Sequence, residues 1–173
     1  MNEFTPDAQK VLSLAQEESA RFNHGYIGSE HLLLALLAHA QGPAFEVMSE
    51  LGLDHDAVRL EIEKLAGPGI GAKTIGAVPY TPRAKKVLAL AASEARALGS
   101  EYVAPEHILL ACLREAEGIG ARVLLNLSVD TLAMRRLLLE RLGAAPADAE
   151  TDEEGDGEEP ASAQIGRASC RER

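Results

Sequence analysis

Aromatic side chains are scarce in this sequence, although hydrophobic residues are not. Aromatic residues make up 3% of the 173 residues, and hydrophobic residues make up 46%. A core of this composition has to be built from Leu, Ala, Val and Ile side chains. β-Sheets are typically richer in β-branched and aromatic residues, whereas Leu and Ala are strong helix formers. The composition therefore favours packed helices over a sheet.

Cysteine, long apolar runs and a leader segment are also lacking. The two cysteines, Cys112 and Cys170, provide neither a disulfide framework nor the spacing of a metal site. No apolar run approaches the ~18 residues that a membrane span requires, and residues 1–6 lack the basic and apolar regions of a signal peptide. These absences predict a protein of the reducing cytoplasm that does not engage a membrane.

Clustered positive charge is absent as well. The net charge is −10. Eight acidic residues and no basic ones lie between positions 148 and 160, and the last ten residues carry +2, so the remaining body carries −4. A nucleic-acid surface requires clustered Lys and Arg side chains. The charge distribution therefore argues against a nucleic-acid partner.

What the sequence does contain is an internal repeat. Residues 29–37 (SEHLLLALL) recur as residues 105–113 (PEHILLACL), and the same shift of 76 positions maps Thr5 onto Thr81. About 23 of the 56 residues between positions 4 and 59 are identical to their partners, and no gap is needed. A fixed period of this kind indicates one supersecondary unit that has been duplicated.

Each repeat predicts four helices. In the first repeat, Thr5 is the N-cap of a helix whose first turn holds Pro6, and apolar residues then follow at helical spacing. Ser29 is predicted to cap a second helix, which is almost wholly apolar and therefore buried on most sides. Residues 43–51 form a third helix, and Asp54 caps a fourth. The second repeat follows the same pattern.

The predicted fold is therefore all-α. It consists of two tandem four-helix repeats, eight helices in total, related by pseudo-two-fold symmetry and followed by a disordered acidic tail. The first repeat spans residues 1–66 and the second spans residues 80–145, with an inter-repeat linker at residues 67–79. A disordered acidic linker follows at residues 146–164, and a terminal segment at residues 165–173. The terminal segment resembles the conceptual translation of a sequencing adapter, so we exclude it from the fold and expect the natural chain to continue.

The linker contains a near match to a phosphate-binding P-loop, residues 67–74 (GPGIGAKT). The P-loop pattern requires Gly directly before the Lys and a buried strand before the loop. Here Ala72 precedes Lys73, and a predicted helix precedes the segment. We therefore predict a flexible linker and no nucleotide site.

Several motifs at this one fixed shift resemble the N-terminal domain of the Clp-type AAA+ unfoldases, and most closely the ClpC branch. They are the openings at residues 4–6 and 80–86 and the blocks at residues 26–31 and 102–110. The resemblance covers residues 2–145. It implies a domain that receives adaptor proteins and protein substrates for a hexameric, ATP-driven ring, which feeds a Clp peptidase. It also implies that this chain is not itself an enzyme, because it lacks the ATPase modules.

The resemblance further implies that phosphorylated arginine is recognised by the opening Thr of each repeat and by the Glu before its His. Carried over, these residues are Thr5 with Glu30 and Thr81 with Glu106. Elementary chemistry agrees, because a Thr-capped helix start presents N–H groups to a phosphate. A carboxylate binds a guanidinium through charge-assisted hydrogen bonds. The alternative is that these residues only cap and stabilise their own helices.

The other chemistry-bearing side chains of the repeats are interpreted as supporting or structural. Lys10 and Lys86 follow the two openings and are expected to add positive potential. His31 and His107 share one helical position, and each is predicted to be a hydrogen-bonded core residue, because no ligand at i+3 or i+4 completes a metal set. Cys112 occupies an apolar position and is predicted to be a buried hydrophobe. We therefore predict no metal, no cofactor and no catalytic group.

Two alternatives remain open at this point. The first is a stand-alone interaction protein that shares the fold and regulates a Clp complex. For such a protein, the coding sequence would stop soon after Gln164. A small helical enzyme with Glu30 and Glu106 as paired acids is the weaker alternative. Carboxylates in separate repeats have no reason to converge within the ~5–9 Å that paired acid–base work requires.

Overall fold

The computed structural model describes residues 3–69 and 77–143 of the chain. These residues form eight α-helices in two sets of four: α1 (Pro6–Arg21), α2 (Ser29–His39), α3 (Gly42–Glu50), α4 (His55–Ala66), α5 (Pro82–Ala97), α6 (Pro105–Arg114), α7 (Ile119–Asn126) and α8 (Thr131–Arg141). The all-α fold of two four-helix repeats is therefore confirmed. The predicted acidic tail, the terminal segment and most of the P-loop-like stretch lie outside the described residues, and the domain boundaries stay predictions.

A short parallel sheet, which the sequence did not predict, joins the two repeats. β1 (Glu3–Phe4) pairs with β2 (Tyr102–Val103). The N–H of Thr5 then donates to the carbonyl oxygen of Val103 at 2.9 Å. The start of α1 therefore lies against the segment that precedes α6, which belongs to the other repeat.

The equivalent crossing on the other side has the same geometry. Ile27 and Tyr80 form an isolated parallel bridge, and the N–H of Thr81 donates to the carbonyl oxygen of Ile27 at 2.9 Å. The start of α5 therefore lies against the segment that precedes α2. Because each of these peptide groups finds its partner in the opposite repeat, the crossings determine which helix start faces which.

α2 is the central helix of the bundle. It packs against α1, α3, α4, α5, α6 and α7, and its residues from Ser29 to Leu37 are all buried. Burial on every face explains why residues 32–37 are apolar all round rather than amphipathic, as the sequence predicted. Its counterpart α6 carries Cys112, which is buried as predicted, and burial raises the pKa of the Cys112 thiol to about 12.

The helix starts follow the predicted capping chemistry in four cases. The side chains of Thr5, Asp54, Thr81 and Asp130 each accept a hydrogen bond from the backbone N–H three residues further on. The prediction that Ser29 caps α2 is wrong, because the N-cap residue is Gly28. The Ser29 hydroxyl oxygen instead accepts the N–H of Gly120 in α7, at 3.3 Å. Ser29 therefore links the two repeats.

Within residues 3–69 and 77–143, no single helix is long and apolar enough to cross a membrane. Only α2 and α3 taken together pass that test of length and composition, and they are bent by 97° with respect to each other.

Candidate functional site

The structure brings the four predicted site residues together in pairs, but not in the pairs that the sequence suggested. Glu30 and Thr81 line one pocket, although they belong to different repeats. Thr5 lies against the segment that leads into α6, whose second residue is Glu106. The pairing of Thr5 with Glu30 and of Thr81 with Glu106 is therefore wrong, because the crossed backbone contacts place each opening Thr beside the opposite repeat. That these residues bind a ligand stays a prediction.

The pocket that contains Glu30 and Thr81, here called the Glu30–Thr81 pocket, has a volume of about 480 Å³. The N-terminal ends of α2, α5 and α7 meet around it. Its lining consists of Tyr26, Ser29, Glu30, Thr81, Pro82, Arg83, Glu117, Gly118, Ile119 and Arg122. The first N–H groups of a helix lack intrahelical acceptors, so convergent helix starts favour an anionic group.

Glu30 is the most unusual side chain of this pocket. It is 3% exposed, and its Oε2 atom is buried without a hydrogen-bond partner among the described residues. Burial raises the pKa of the Glu30 carboxyl above its usual value, which its own backbone N–H and the charge of His24 offset only in part. An unpartnered buried carboxylate is a strong acceptor for a cationic group that enters the pocket.

Gly28 explains how the carboxylate fits into this position. A Cβ atom at position 28 would overlap Oε1 of Glu30 and lie 2.9 Å from its Cδ. The φ angle of Gly28 is −105°, which any residue adopts, so the close approach of the carboxylate is what requires glycine. In the second repeat Ala104 occupies the equivalent position, and Glu106 is only half-buried.

Two arginine side chains supply the positive charge of the pocket. Nη1 of Arg83 donates to Glu115 at 2.9 Å and to Glu117 at 3.0 Å. Glu115, whose side chain is buried, also accepts the N–H of Gly118 at 3.0 Å, so it anchors the guanidinium from behind. The guanidinium of Arg122 forms no ion pair with the described part of the chain. The pocket therefore combines one anchored cation, one unengaged cation and one unpartnered carboxylate.

Thr81 keeps donor capacity although it caps α5. Its Oγ1 accepts the N–H of Ala84 at 3.1 Å, which leaves its own O–H proton to donate. The N–H of Arg83, at the second position of the helix, has no intrahelical acceptor, and Pro82 has no N–H. The capping role and an anion-binding role of Thr81 are therefore compatible.

Lys10 and Lys86 do not line the pocket. The pKa of Glu117 is held below its usual value first by Arg83 and then by Lys86, so Lys86 adds positive potential at the pocket edge. Lys10 is exposed on the first repeat.

His31 is a buried, hydrogen-bonded core residue, as predicted. The N–H of Gly28 donates to Nδ1 of His31 at 2.9 Å. Nε2 of His31 lies 2.8 Å from Nδ1 of His24, and Nε2 of His24 lies 2.8 Å from the carbonyl oxygen of Gly67. Because Nδ1 of His31 accepts, its proton is on Nε2, and we infer a directional chain from Gly28 through both rings to Gly67. Burial, and then the charge of His24, lowers the pKa of His31 to about 3.

His24, Glu30 and His31 place one ligand atom each within 4.8 Å of one another. Sequence spacing did not reveal this group, because His24 comes from the loop before α2. The hydrogen bonds oppose a metal here: a metal on Nε2 of His31 would move the ring proton to Nδ1, against the N–H of Gly28. His107 accepts the equivalent backbone N–H at 2.9 Å, so both histidines hold the start of their helix.

Most of the charged lining of the pocket was missed by sequence reasoning. Glu117 and Arg122 lie just before and in α7, for which the sequence suggested no ligand, and Arg83 follows the predicted site residue Thr81 but was not itself singled out. No spacing pattern links them to Glu30, because the contact exists only through the crossing of the repeats. A signal for Glu30 itself was present in the unlike residues Gly28 and Ala104 at equivalent positions of the two repeats.

Comparisons with known proteins agree with one another. The family described as "Clp repeat (R) N-terminal domain" matches residues 3–127. The chain is 48% identical over 141 residues both to the chaperone protein ClpB of Oceanobacillus iheyensis and to the "negative regulator of genetic competence ClpC/MecB" of Bacillus subtilis. It is 43% identical over 154 residues to the chloroplastic chaperone protein ClpC of Pisum sativum.

These alignments cover most of this chain but a small part of each relative. They include 82% of the chain for the two bacterial proteins and 89% for the plant protein, yet only 17% and 16% of the relatives' own lengths. Among solved structures, the N-terminal domain of ClpD from Arabidopsis thaliana has a TM-score of 0.69 at 25% identity, over 82% of this chain and 96% of that one. The Hsp104 N-terminal domain from Candida albicans has a TM-score of 0.69 at 17% identity, over 83% of this chain and 93% of that one. At this low identity, the likeness shows the fold alone.

Proposed function

This chain belongs to the Clp repeat N-terminal domain family, and on that premise we propose that it is the substrate- and adaptor-docking domain of a ClpC-like, ATP-driven unfoldase. In this proposal it docks proteins through arginine residues that carry a phosphoryl group. Relatives named as chaperones and as ATP-binding subunits of an ATP-dependent Clp protease support a place in a machine that delivers proteins to a Clp peptidase. The chain itself then binds without catalysing, and it works in the cytoplasm.

The observation that carries the ligand class is the unpartnered Oε2 atom of Glu30. A guanidinium group in the pocket gives this buried carboxylate the cationic donor that it lacks. A phosphoryl group on the same side chain then meets the Thr81 hydroxyl, the start of α5 and the guanidinium of Arg83. Phosphoarginine carries both groups on one side chain, so it satisfies both halves of the pocket at once.

The same charges act against simpler ligands. An unmodified arginine would pair with Glu30 but would supply no anion to the guanidinium of Arg122, which forms no ion pair with the described part of the chain. A phosphoserine would bring a dianion towards Glu30 and Glu117 without supplying a donor to either. The pocket therefore favours a ligand of mixed charge over a purely cationic or purely anionic one.

Calorimetric titration with three peptides of otherwise identical sequence tests the proposal. The peptides carry phosphoarginine, arginine or phosphoserine at one position. We expect the phosphoarginine peptide to bind at least tenfold more tightly than the other two. The variants Glu30→Gln and Thr81→Val, which keep side-chain shape, are expected to weaken its binding at least tenfold, while the exposed control Glu17→Gln leaves it unchanged. Equal affinity for phosphorylated and unmodified arginine would contradict the proposal.

A further inference from the structure

The two repeats differ in charge at three of four equivalent positions around their helix starts. The shift of 76 positions relates Glu30 to Glu106, Arg83 to Asp7, Glu117 to Gln41 and Arg122 to Glu46. We call the second set, with Thr5, the Thr5–Glu106 surface. The charged side chains of the Glu30–Thr81 pocket sum to zero, whereas those of the Thr5–Glu106 surface sum to −3. The duplication has therefore kept the fold of the two positions but not their charge.

The side-chain contacts behind these positions differ as well. In the Glu30–Thr81 pocket, the guanidinium of Arg83 is anchored by the buried carboxylate of Glu115 at 2.9 Å. In the Thr5–Glu106 surface, the carboxylate of Asp7 lies 3.8 Å from Nε2 of His39, which is the residue equivalent to Glu115. A carboxylate therefore replaces the guanidinium, and an imidazole ring replaces the carboxylate behind it. The Glu30–Thr81 pocket presents a guanidinium, whereas the Thr5–Glu106 surface presents the carboxylate of Asp7, whose side chain is 68% exposed.

Glu46 replaces the second arginine of the pocket. Its carboxylate accepts a hydrogen bond from Arg141 at 2.7 Å, and Arg141 also pairs with Glu50. One guanidinium is thus shared between two carboxylates, which leaves net negative charge where Arg122 supplies a positive one in the second repeat.

The glutamates of the two positions also differ in placement. The carboxylate of Glu30 occupies space that only Gly28 leaves open, and it is buried without a partner. Ala104 carries a Cβ atom at the equivalent place, and Glu106 is half-buried. This difference does not depend on the charges, and it also makes the Glu30–Thr81 pocket the one prepared for a guanidinium.

We propose that the chain holds one phosphoryl-binding site, which is the Glu30–Thr81 pocket. Arg83 and Arg122 determine the specificity of this site, and the Thr5–Glu106 surface excludes phosphoryl groups. The inference rests on the proposed function and adds its stoichiometry and the residues that select the ligand. A phosphoryl group beside Arg83 and Arg122 is compensated by charge-assisted hydrogen bonds. Beside Asp7 and Glu46 it meets like charge.

Calorimetric titration of the chain with free phosphoarginine measures both stoichiometry and affinity. We expect one phosphoarginine per chain in the wild type. The variant Glu30→Gln is expected to lose more than tenfold in affinity, and Glu106→Gln is expected to change neither quantity. The double variant Arg83→Asp, Arg122→Glu, which copies the residues of the first repeat, is also expected to bind more than tenfold more weakly.

A gain-of-binding variant tests the reason for the difference. Asp7→Arg, Glu46→Arg and Ala104→Gly together give the Thr5–Glu106 surface the two arginines and the glycine of the pocket, and we expect a second phosphoarginine per chain. Failure of this variant to gain a second site, at an unchanged melting temperature, would overturn the explanation by charge and Gly28. Two equivalent sites in the wild type would overturn this inference but leave the proposed function intact. No binding by the wild type would overturn the proposed function itself.

Discussion

The variant Glu30→Gln is predicted to make the domain more stable and less able to bind. The wild-type carboxylate is buried, and its Oε2 atom has no partner within the described residues. A buried group that lacks its hydrogen bond costs about 1–3 kcal/mol, and more when it is charged. The backbone N–H of Glu30 recovers part of that cost. The substituted amide still lacks a partner there but carries no charge, so only the cost of burying the charge is removed. We therefore expect the free energy of unfolding to rise by about 1–2 kcal/mol in the variant, or about 3–6 °C in melting temperature.

The same substitution removes a charge-assisted hydrogen bond to a bound guanidinium. Such bonds contribute about 1.5–3 kcal/mol, which corresponds to a loss of roughly 10- to 150-fold in affinity. Stability and binding therefore change in opposite directions. A residue with a purely structural role would lower the free energy of unfolding when it is replaced, so the sign of the change separates the two interpretations.

The stability gain is also predicted to depend on pH. Because the folded-state pKa of the Glu30 carboxyl is raised above its usual value of 4.5, the folded chain holds this proton more tightly than the unfolded chain does. The contribution of the protonated group to stability is present below the unfolded pKa and is lost as the pH rises through the raised folded pKa. The stability difference between Glu30→Gln and wild type is therefore expected to be close to zero at about pH 4 and largest near about pH 7.

Urea denaturation of both proteins between pH 4 and pH 7 measures this difference, provided that their denaturant slopes agree. The matched control is Glu106→Gln, because Glu106 is half-buried at the equivalent position, and its stability is expected to stay within about 0.5 kcal/mol of the wild type. A Glu30→Gln variant that is less stable than wild type at neutral pH, or a gain that does not vary with pH, would refute this reasoning.

Three further predictions follow from single contacts. Gly28→Ala places a Cβ atom in the space of the Glu30 carboxylate and is expected to weaken phosphoarginine binding about tenfold by calorimetry; unchanged affinity would show that the position of the carboxylate is unimportant. The pKa of His31 is lowered to about 3, so His31 contributes stability that is present above its usual pKa of 6.5 and is lost as the pH falls towards 3. We expect NMR titration to find the ring neutral at pH 5, and a protonated ring at that pH would contradict the hydrogen-bond chain. Leu34→Ala is expected to cost about 2–5 kcal/mol in urea denaturation because Leu34 is fully buried, whereas Leu60→Ala, at a 59% exposed position, is expected to stay within about 0.5 kcal/mol; similar losses in both would contradict the packing.

The helices and their caps were predictable because their signals are local. Thr5 and Asp54 accept hydrogen bonds from residues three positions away, and such a contact is written within one turn of sequence. The burial of α2 was likewise visible in its unbroken apolar stretch. The exact repeat of these features at one shift then predicted the second half of the fold from the first.

The arrangement of the repeats was not predictable from these signals. The pairing of β1 with β2 and of Ile27 with Tyr80 joins residues far apart in sequence, and no local preference records it. Ser29 illustrates the consequence: its residue type is typical of an N-cap, yet its hydroxyl oxygen accepts from Gly120 of the other repeat. Because the candidate pocket is built across this junction, Glu30 and Thr81 could be predicted as site residues from the sequence, but neither their pairing nor the contribution of Arg83 and Arg122 could.

The most direct test of the central claim is a crystal structure of the domain with phosphoarginine bound. We expect the guanidinium to lie at hydrogen-bonding distance, about 3 Å, from the carboxylate of Glu30. We also expect the phosphoryl oxygens to contact the hydroxyl of Thr81 and the guanidinium of Arg83. Phosphoarginine bound at a surface that includes neither Glu30 nor Thr81 would contradict the account.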